Sequence, residues 1–257
     1  LVNTVNTVGV MGKGIALEFK KRFPAMHRDY VTRCERGEVR LGRPYVYRVR
    51  APSSDLFGGQ GGRDEGPELI INFPTKDHWR SVSRITDIGE GLRFLVDHYR
   101  EWGVTSMAVP PLGCGNGQLE WRVVGRTLYR FLKQLDIPVE LYAPHHTPAE
   151  QLGARFLAGG NGGTEEPAPR LEPAWIALAA IVDRIQQEPY HWPVGRTTFQ
   201  KIAYFATAAG LPTGLQYRRG SYGPFSSELK SVLVKLVNNG VVRERKLGRM
   251  HSVEAGP

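Results

Sequence analysis

Apolar and polar positions follow two rhythms along the first half of the chain. Leu1 to Val10, LVNTVNTVGV, is a β-branched run interrupted by Asn3 and Asn6. It passes through Gly9, Gly12 and Gly14 into a helical pattern without a break. From Gly12 to Phe23, Ile15, Ala16, Phe19 and Phe23 share one side and Lys20, Lys21 and Arg22 the other, which predicts an amphipathic helix. Pro24 suits the first position of a second helix reaching Cys34. Tyr45 to Val49 alternates as a strand, and Glu68 to Phe73 (ELIINF) is a buried one followed by a loop, Pro74 to Trp79. Ile88, Leu92, Leu95, Val96 and Tyr99 fall at helical spacing within Ile85 to Trp102, closed by Gly103. A strand over Thr105 to Val109, a helix over Leu119 to Leu135 and a strand over Ile137 to Ala143 complete the pattern. Strands alternating with helices specify an α/β layer fold, with helices on both faces of a parallel or mixed sheet.

Two stretches break the rhythm. Ala51 to Pro67, APSSDLFGGQGGRDEGP, is too poor in apolar residues to offset its ordering entropy and reads as a mobile insertion between strands. AGGNGGTEEPAPRLEP, before Ala174, is a linker by composition. Beyond it, AWIALAAIVDRI and TTFQKIAYFATAAG predict helices, LQYRRGSYGPF a strand or hairpin, SSELKSVLVKLVNNG a helix capped by Ser226 or Ser227, and VVRERKLGRMHSVE a hairpin.

Composition narrows the function classes. Lys and Arg total 34 against 25 acidic residues, a surplus of +9, in a chain that is 41% hydrophobic. Up to residue 150 the balance is 21 against 17, and beyond it 13 against 8. Both parts are basic, so a polyanion such as nucleic acid is a plausible partner, as is plain solubility. The mean hydropathy of −0.32 and the lack of any run near the ~20 apolar residues of a membrane span fit a soluble globular chain without a membrane role. Cys34 and Cys114 stand apart from any C-x-x-C pattern and read as reduced thiols of a cytoplasmic protein. His145 and His146 have no third ligand nearby in sequence, so no metal or cofactor is expected.

The glycine-rich junction at the start is the strongest chemical signal. Glycines let the backbone approach a ligand, and the first N–H groups of the following helix are unpaired at the positive end of its dipole. A diphosphate fits there, with Asn3 and Asn6 at the mouth for sugar hydroxyls; the bland alternative is a strand-to-helix turn that binds nothing. The order G-x-x-G-x-G excludes both the G-x-G-x-x-G and the P-loop patterns, and Lys13 has no Ser or Thr after it. Ligands of such folds sit at the carboxyl ends of strands, a rule that gathers Asn3 to Gly14, Pro74 to Trp79 and Pro110 to Gly117 around one crevice.

NTVNTVGVMGKGIALEFKKRFP resembles the ligand loop of macrodomains, ADP-ribose-binding modules, and within them the DarG branch of antitoxins that remove ADP-ribose from DNA. The resemblance implies a three-layer α/β/α macrodomain with a mixed sheet over residues 1–150, a linker over 151–173, and a smaller α+β, winged-helix-like domain over 174–257. It implies that Asn3, Asn6, Val8, Gly9, Val10, Met11, Gly12 and Gly14 hold ADP-ribose together with Pro111, Leu112, Gly113, Cys114, Gly115, Asn116 and Gly117 of the second loop. Lys76 in INFPTKDHW matches the lysine that acts on the anomeric carbon of the distal ribose, as a nucleophile or as an electrostatic clamp. Thr75, His78 and Trp79 stand where the nucleobase or DNA would pass, Trp79 stacking on the base or packing at the loop edge. A related human enzyme pairs its lysine with an aspartate where this chain has Gly117, which favours the DNA-directed branch; Asp77 and Glu120 are the candidate substitutes. Cys114 reads as a packing residue.

Macrodomains begin with a further strand carrying a Gly-Asp that contacts adenine; its absence reads as an N-terminally incomplete chain, and Gly256–Pro257 likewise reads as a cut end. FQKIAYFA and GSYGPFSSEL resemble the toxin-facing module of DarG and related antitoxins. This implies a DarT-type DNA ADP-ribosyltransferase as partner, beside the substrate, ADP-ribosylated single-stranded DNA, and the product ADP-ribose. Arg218, Arg219, Arg243, Arg245, Lys246 and Arg249 form a candidate basic face for the toxin or for DNA.

Overall fold

The computed structural model describes residues 1–49, 67–159, 171–248 and 250–256. Residues 51–66 of the expected insertion, most of the linker composition and Arg249 lie outside the described residues. The chain divides into two compact units, Leu1–Asn161 and Gly162–Pro257.

The first unit is α/β with a mixed sheet. Its elements are β1 (Val2–Asn6), α1 (Gly14–Arg22), α2 (Pro24–Glu35), β2 (Tyr45–Arg48), β3 (Leu69–Lys76), α3 (Ile85–His98), β4 (Met107–Val109), α4 (Trp121–Leu132), β5 (Val139–Leu141) and the single turn α5 (Ala154–Leu157). β1 runs parallel to β3, β2 antiparallel to β3, and β4 parallel to β5, with β4 packed beside β1. β3 is buried along almost its whole length, its polar Asn72, Thr75 and Lys76 included, rather than alternating between a buried and an open face. Ile88, Leu92 and Leu95 of α3 are buried, and Gly91 within that helix makes room for Phe73, since a Cβ there would lie 2.5 Å from its ring. Beneath the first loop, Val5, Met11, Phe19, Met26, Tyr30, Val39 and Ile70 form one cluster. Each large side chain hidden in this way contributes about 1.5–3 kcal/mol.

Pairing corrects one sequence expectation. Pro74, Thr75 and Lys76 were expected in a loop because a proline interrupts a strand pattern, yet they extend β3. Proline is tolerated there because β2 pairs only with Leu69 to Asn72 and has already ended. The β1–β3 ladder then slips: Val5 faces Pro74, but Asn6 faces Lys76, leaving Thr75 as the extra residue.

The second unit contains α6 (Pro173–Gln186), α7 (Arg196–Ala208), the antiparallel pair β6 (Arg218–Gly220) and β7 (Gly223–Phe225), α8 (Leu229–Asn238) and the antiparallel pair β8 (Val242–Leu247) and β9 (Met250–Ala255). Neither serine caps α8. Its N-cap is Glu228, and the Ser226 backbone is pinned instead by the Gln200 amide through bonds of 2.9 and 2.8 Å. Among the described residues no helix is long and apolar enough to cross a membrane.

Candidate active site

The first loop is built by Asn6. Its side-chain oxygen accepts the N–H groups of Val8 (3.0 Å) and Val10 (3.3 Å), while its amide donates to the Val10 carbonyl at 2.5 Å. The Tyr30 hydroxyl, fully buried on α2, donates to the Asn6 backbone oxygen at 2.8 Å and lies 3.0 Å from its side-chain oxygen. Burial pushes the Tyr30 phenol well above its ordinary range, so it stays a donor at any physiological pH. The loop delivers the chain to α1, whose N-cap Lys13 makes no side-chain cap and whose first turn holds no acid. No acidic side chain of that turn therefore offsets the positive end of the helix dipole.

The second loop, Pro110 to Gly117, closes on the first. A Cβ at Gly14 would lie 3.4 Å from the Asn116 side-chain nitrogen. Gly117 sits against Ser83 and its own loop: a Cβ would fall 2.3 Å from the Ser83 Oγ and 2.4 Å from the Gly113 carbonyl. Position 117 thus has no room for any side chain.

Lys76 ends β3 between the two loops. It is 9% exposed, and its Nζ donates to the Asn116 carbonyl at 3.1 Å. The next residue continues the contact: Asp77 O accepts the Thr7 N–H at 3.2 Å and the Thr7 hydroxyl at 2.6 Å. One buried amine is therefore anchored to the second loop from a strand register shared with the start of the first. The Asp77 carboxylate accepts the His78 N–H at 2.7 Å, and Glu120 bonds Arg122 at 2.8 Å.

A Macro domain family model matches residues 2–128. The solved macrodomain of Mycobacterium tuberculosis DarG is 46% identical, over 56% of this chain and 87% of that one, with a TM-score of 0.49. The chain belongs to the macrodomain family. Thermosipho africanus DarTG, solved in complex with ADP-ribose, is 42% identical over 61% of this chain and 41% of that one, with a TM-score of 0.54. The DNA ADP-ribosyl glycohydrolase of Thermus aquaticus is 40% identical over 92% of this chain, and that of Mycobacterium tuberculosis 39% over 91%. The chain spans 59% and 62% of the length of those two proteins.

Within this macrodomain several residues sit otherwise than expected. Asn3 is not at the mouth: it is fully buried opposite Asn72, donating to its side-chain oxygen at 2.9 Å. Alternation along β1 turns Asn3 into the sheet interior, and Asn6 spends its side chain on its own loop. Met11 and Leu112 are buried, so only their backbones are available to a ligand. Val8 and Val10, at 36% and 40% exposure, stand at the surface. Thr75, expected near the base, is 4% exposed and lies 3.4 Å from the Val5 carbonyl. Trp79 is 47% exposed, with the His78 ring 5.3 Å away and the Arg80 guanidinium 4.4 Å over its ring. Burial pushes the Cys114 thiol up to about 12, so it remains protonated and is no nucleophile.

Three residues escaped the sequence reading. Tyr30 looked like one more core position of α2. Ser83 lies in a stretch with no periodicity. Tyr142 follows β5, and the carboxyl-end rule applied to that strand would have found it. It borders a hollow of about 420 Å³ with Trp121, Leu141, His146, Thr147 and Leu157. Tyr30→Phe removes the support of Asn6 and lowers stability in a thermal melt by about 1 kcal/mol, the value of one buried hydrogen bond, with the fold retained.

Proposed function

We propose that this chain is a glycohydrolase that removes ADP-ribose from thymidine bases of single-stranded DNA, as an antitoxin against a DNA ADP-ribosyltransferase. The observation that carries the reading is the Lys76 amine, buried at a strand end and bonded to the Asn116 carbonyl between two glycine loops. The names of the relatives at 39–40% identity support the same activity.

In this reading the loop N–H groups of Val8 to Gly14 and Gly113 to Gly117 hold the diphosphate. β4 and β5 are parallel, so the hollow beside Tyr142 lies at the same strand ends as the second loop and takes the adenine. The distal ribose then extends the other way, with C1″ towards Lys76 and the base towards His78 and Trp79. In the net reaction the C1″–N3 bond breaks, water supplies the new C1″–oxygen bond, and thymine N3 takes the proton. Lys76 drives it by attacking C1″ and releasing the base, its own bond to C1″ then being hydrolysed. With Gly117 closed to any side chain, the amine works without the neighbouring aspartate of the related human enzyme.

We further read residues 1–150 as the catalytic domain and 174–257 as a winged-helix-like domain that meets a DarT-type toxin. The break between compact units falls within the proposed linker, 151–173. This activity is assigned to the cytoplasm. The test is release of ADP-ribose from an oligonucleotide modified on thymidine, followed by chromatography. Release from DNA but not from a glutamate-linked protein conjugate is the expected result; ADP-ribose binding with no turnover of either linkage overturns the hydrolase and leaves a reader.

A further inference from the structure

The second unit displays a face whose composition points to a ligand of its own. Between Glu188 and Glu228 the sequence contains no Asp or Glu, while it carries Arg196, Lys201, Arg218 and Arg219 among many aromatic residues. The fold draws part of this stretch together. β6 and β7 pair antiparallel, setting Arg218 opposite Phe225 with its guanidinium 5.7 Å over that ring. The hairpin packs on α7, where the Lys201 side chain lies 3.9 Å from a Cβ built at Gly223. Phe205 follows Lys201 by one helical turn and is 66% exposed; Tyr222 at the hairpin tip is 81% exposed and Phe225 40%. Exposed aromatic rings of this size cost solvation free energy unless something covers them, and here they stand beside exposed Lys201, Arg218 and Arg219.

We propose that this α7–hairpin face binds single-stranded DNA irrespective of ADP-ribosylation, its bases stacking on Phe205 and Tyr222 and its phosphates meeting Lys201, Arg218 and Arg219. Cations interleaved with open rings are the chemistry of sequence-tolerant single-strand recognition, because every base offers a π-face and every nucleotide a phosphate. A protein partner would need a complementary acidic surface to face this basic one; a DNA strand brings that charge uniformly. The β8–β9 hairpin is a poorer candidate, since Arg243 is engaged by Glu254 at 3.1 Å and Arg196 by Glu244.

The test uses the full chain and an unmodified oligothymidine of fifteen nucleotides, read by fluorescence anisotropy across a salt series, so it needs no hydrolysis and stands apart from the glycohydrolase reading. Wild-type chain binds, with affinity falling as salt rises. Arg218→Gln with Arg219→Gln weakens binding and lowers the salt slope by about 1.4, two single-strand phosphate contacts at roughly 0.7 each. Phe205→Ala with Tyr222→Ala weakens it by roughly tenfold or more without altering the slope. Arg243→Gln changes neither quantity. The proposal is overturned if the arginine pair binds like wild type, if saturating ADP-ribose abolishes binding, or if the variants keep DNA but lose a co-expressed toxin. Circular dichroism checks the fold; should the aromatic pair melt early, the exposed arginine pair decides the matter alone.

Discussion

Lys76→Ala lowers ADP-ribose release from a thymidine-modified oligonucleotide by on the order of a thousandfold or more, while ADP-ribose itself still binds within a few fold of wild type. The two readouts separate because, in the proposed binding mode, backbone N–H groups of the loops hold the diphosphate and are left alone by the substitution, whereas the amine meets only the reacting end. Removing it does withdraw the donor to the Asn116 carbonyl, a bond worth about 1 kcal/mol, so a small loss of affinity is expected. Lys76→Arg keeps the charge but not the nucleophile. If that variant stays inactive and borohydride traps an adduct on the wild type, attack at C1″ stands; if arginine restores most of the rate, Lys76 acts by charge alone. Full activity in Lys76→Ala, measured by chromatography of the freed ADP-ribose, removes the catalytic assignment altogether.

Gly117→Asp is the second large effect. An aspartate at this position would recreate the carboxylate of the related human enzyme on paper, but its Cβ would overlap the Ser83 Oγ at 2.3 Å and the Gly113 carbonyl at 2.4 Å. Both are close-packed neighbours, and Gly113 O is backbone, so the loop itself must move. Overpacking of this kind costs about 1–3 kcal/mol in a well-packed region. Because the displaced segment carries both the N–H groups proposed to hold the diphosphate and the Asn116 carbonyl that anchors Lys76, ADP-ribose affinity is expected to fall roughly thirtyfold to a hundredfold, and turnover with it. Calorimetry and a thermal melt check this. Adding Ser83→Gly removes one of the two clashes and recovers part of the stability; complete recovery would mean that the Gly113 carbonyl is not the limiting contact.

Most of the α/β pattern was legible because periodicity speaks directly to which face is buried. The strand of Ile70 to Phe73, the helix around Ile88, Leu92 and Leu95, and the loops at the ends of strands all follow from local order. What escaped was of another kind. The extension of β3 through Pro74 depends on where its neighbour β2 stops, which no local pattern carries. Asn3 and Asn6 look alike in sequence and differ only because one meets Asn72 across the sheet while the other folds back on its own loop. Tyr30 and Ser83 act at the site from beneath it, through contacts made across 24 and 34 residues of chain, and their types are common in cores and loops alike.

The slipped register between β1 and β3 has a mechanical meaning. Asn6, which shapes the first loop, stands opposite Lys76, the amine of the proposed reaction. Both are therefore dimensioned from the same pair of strands, and a thermal displacement of one carries the other with it. Holder and tool share a single datum, so the gap between them is conserved even when the surrounding loops breathe.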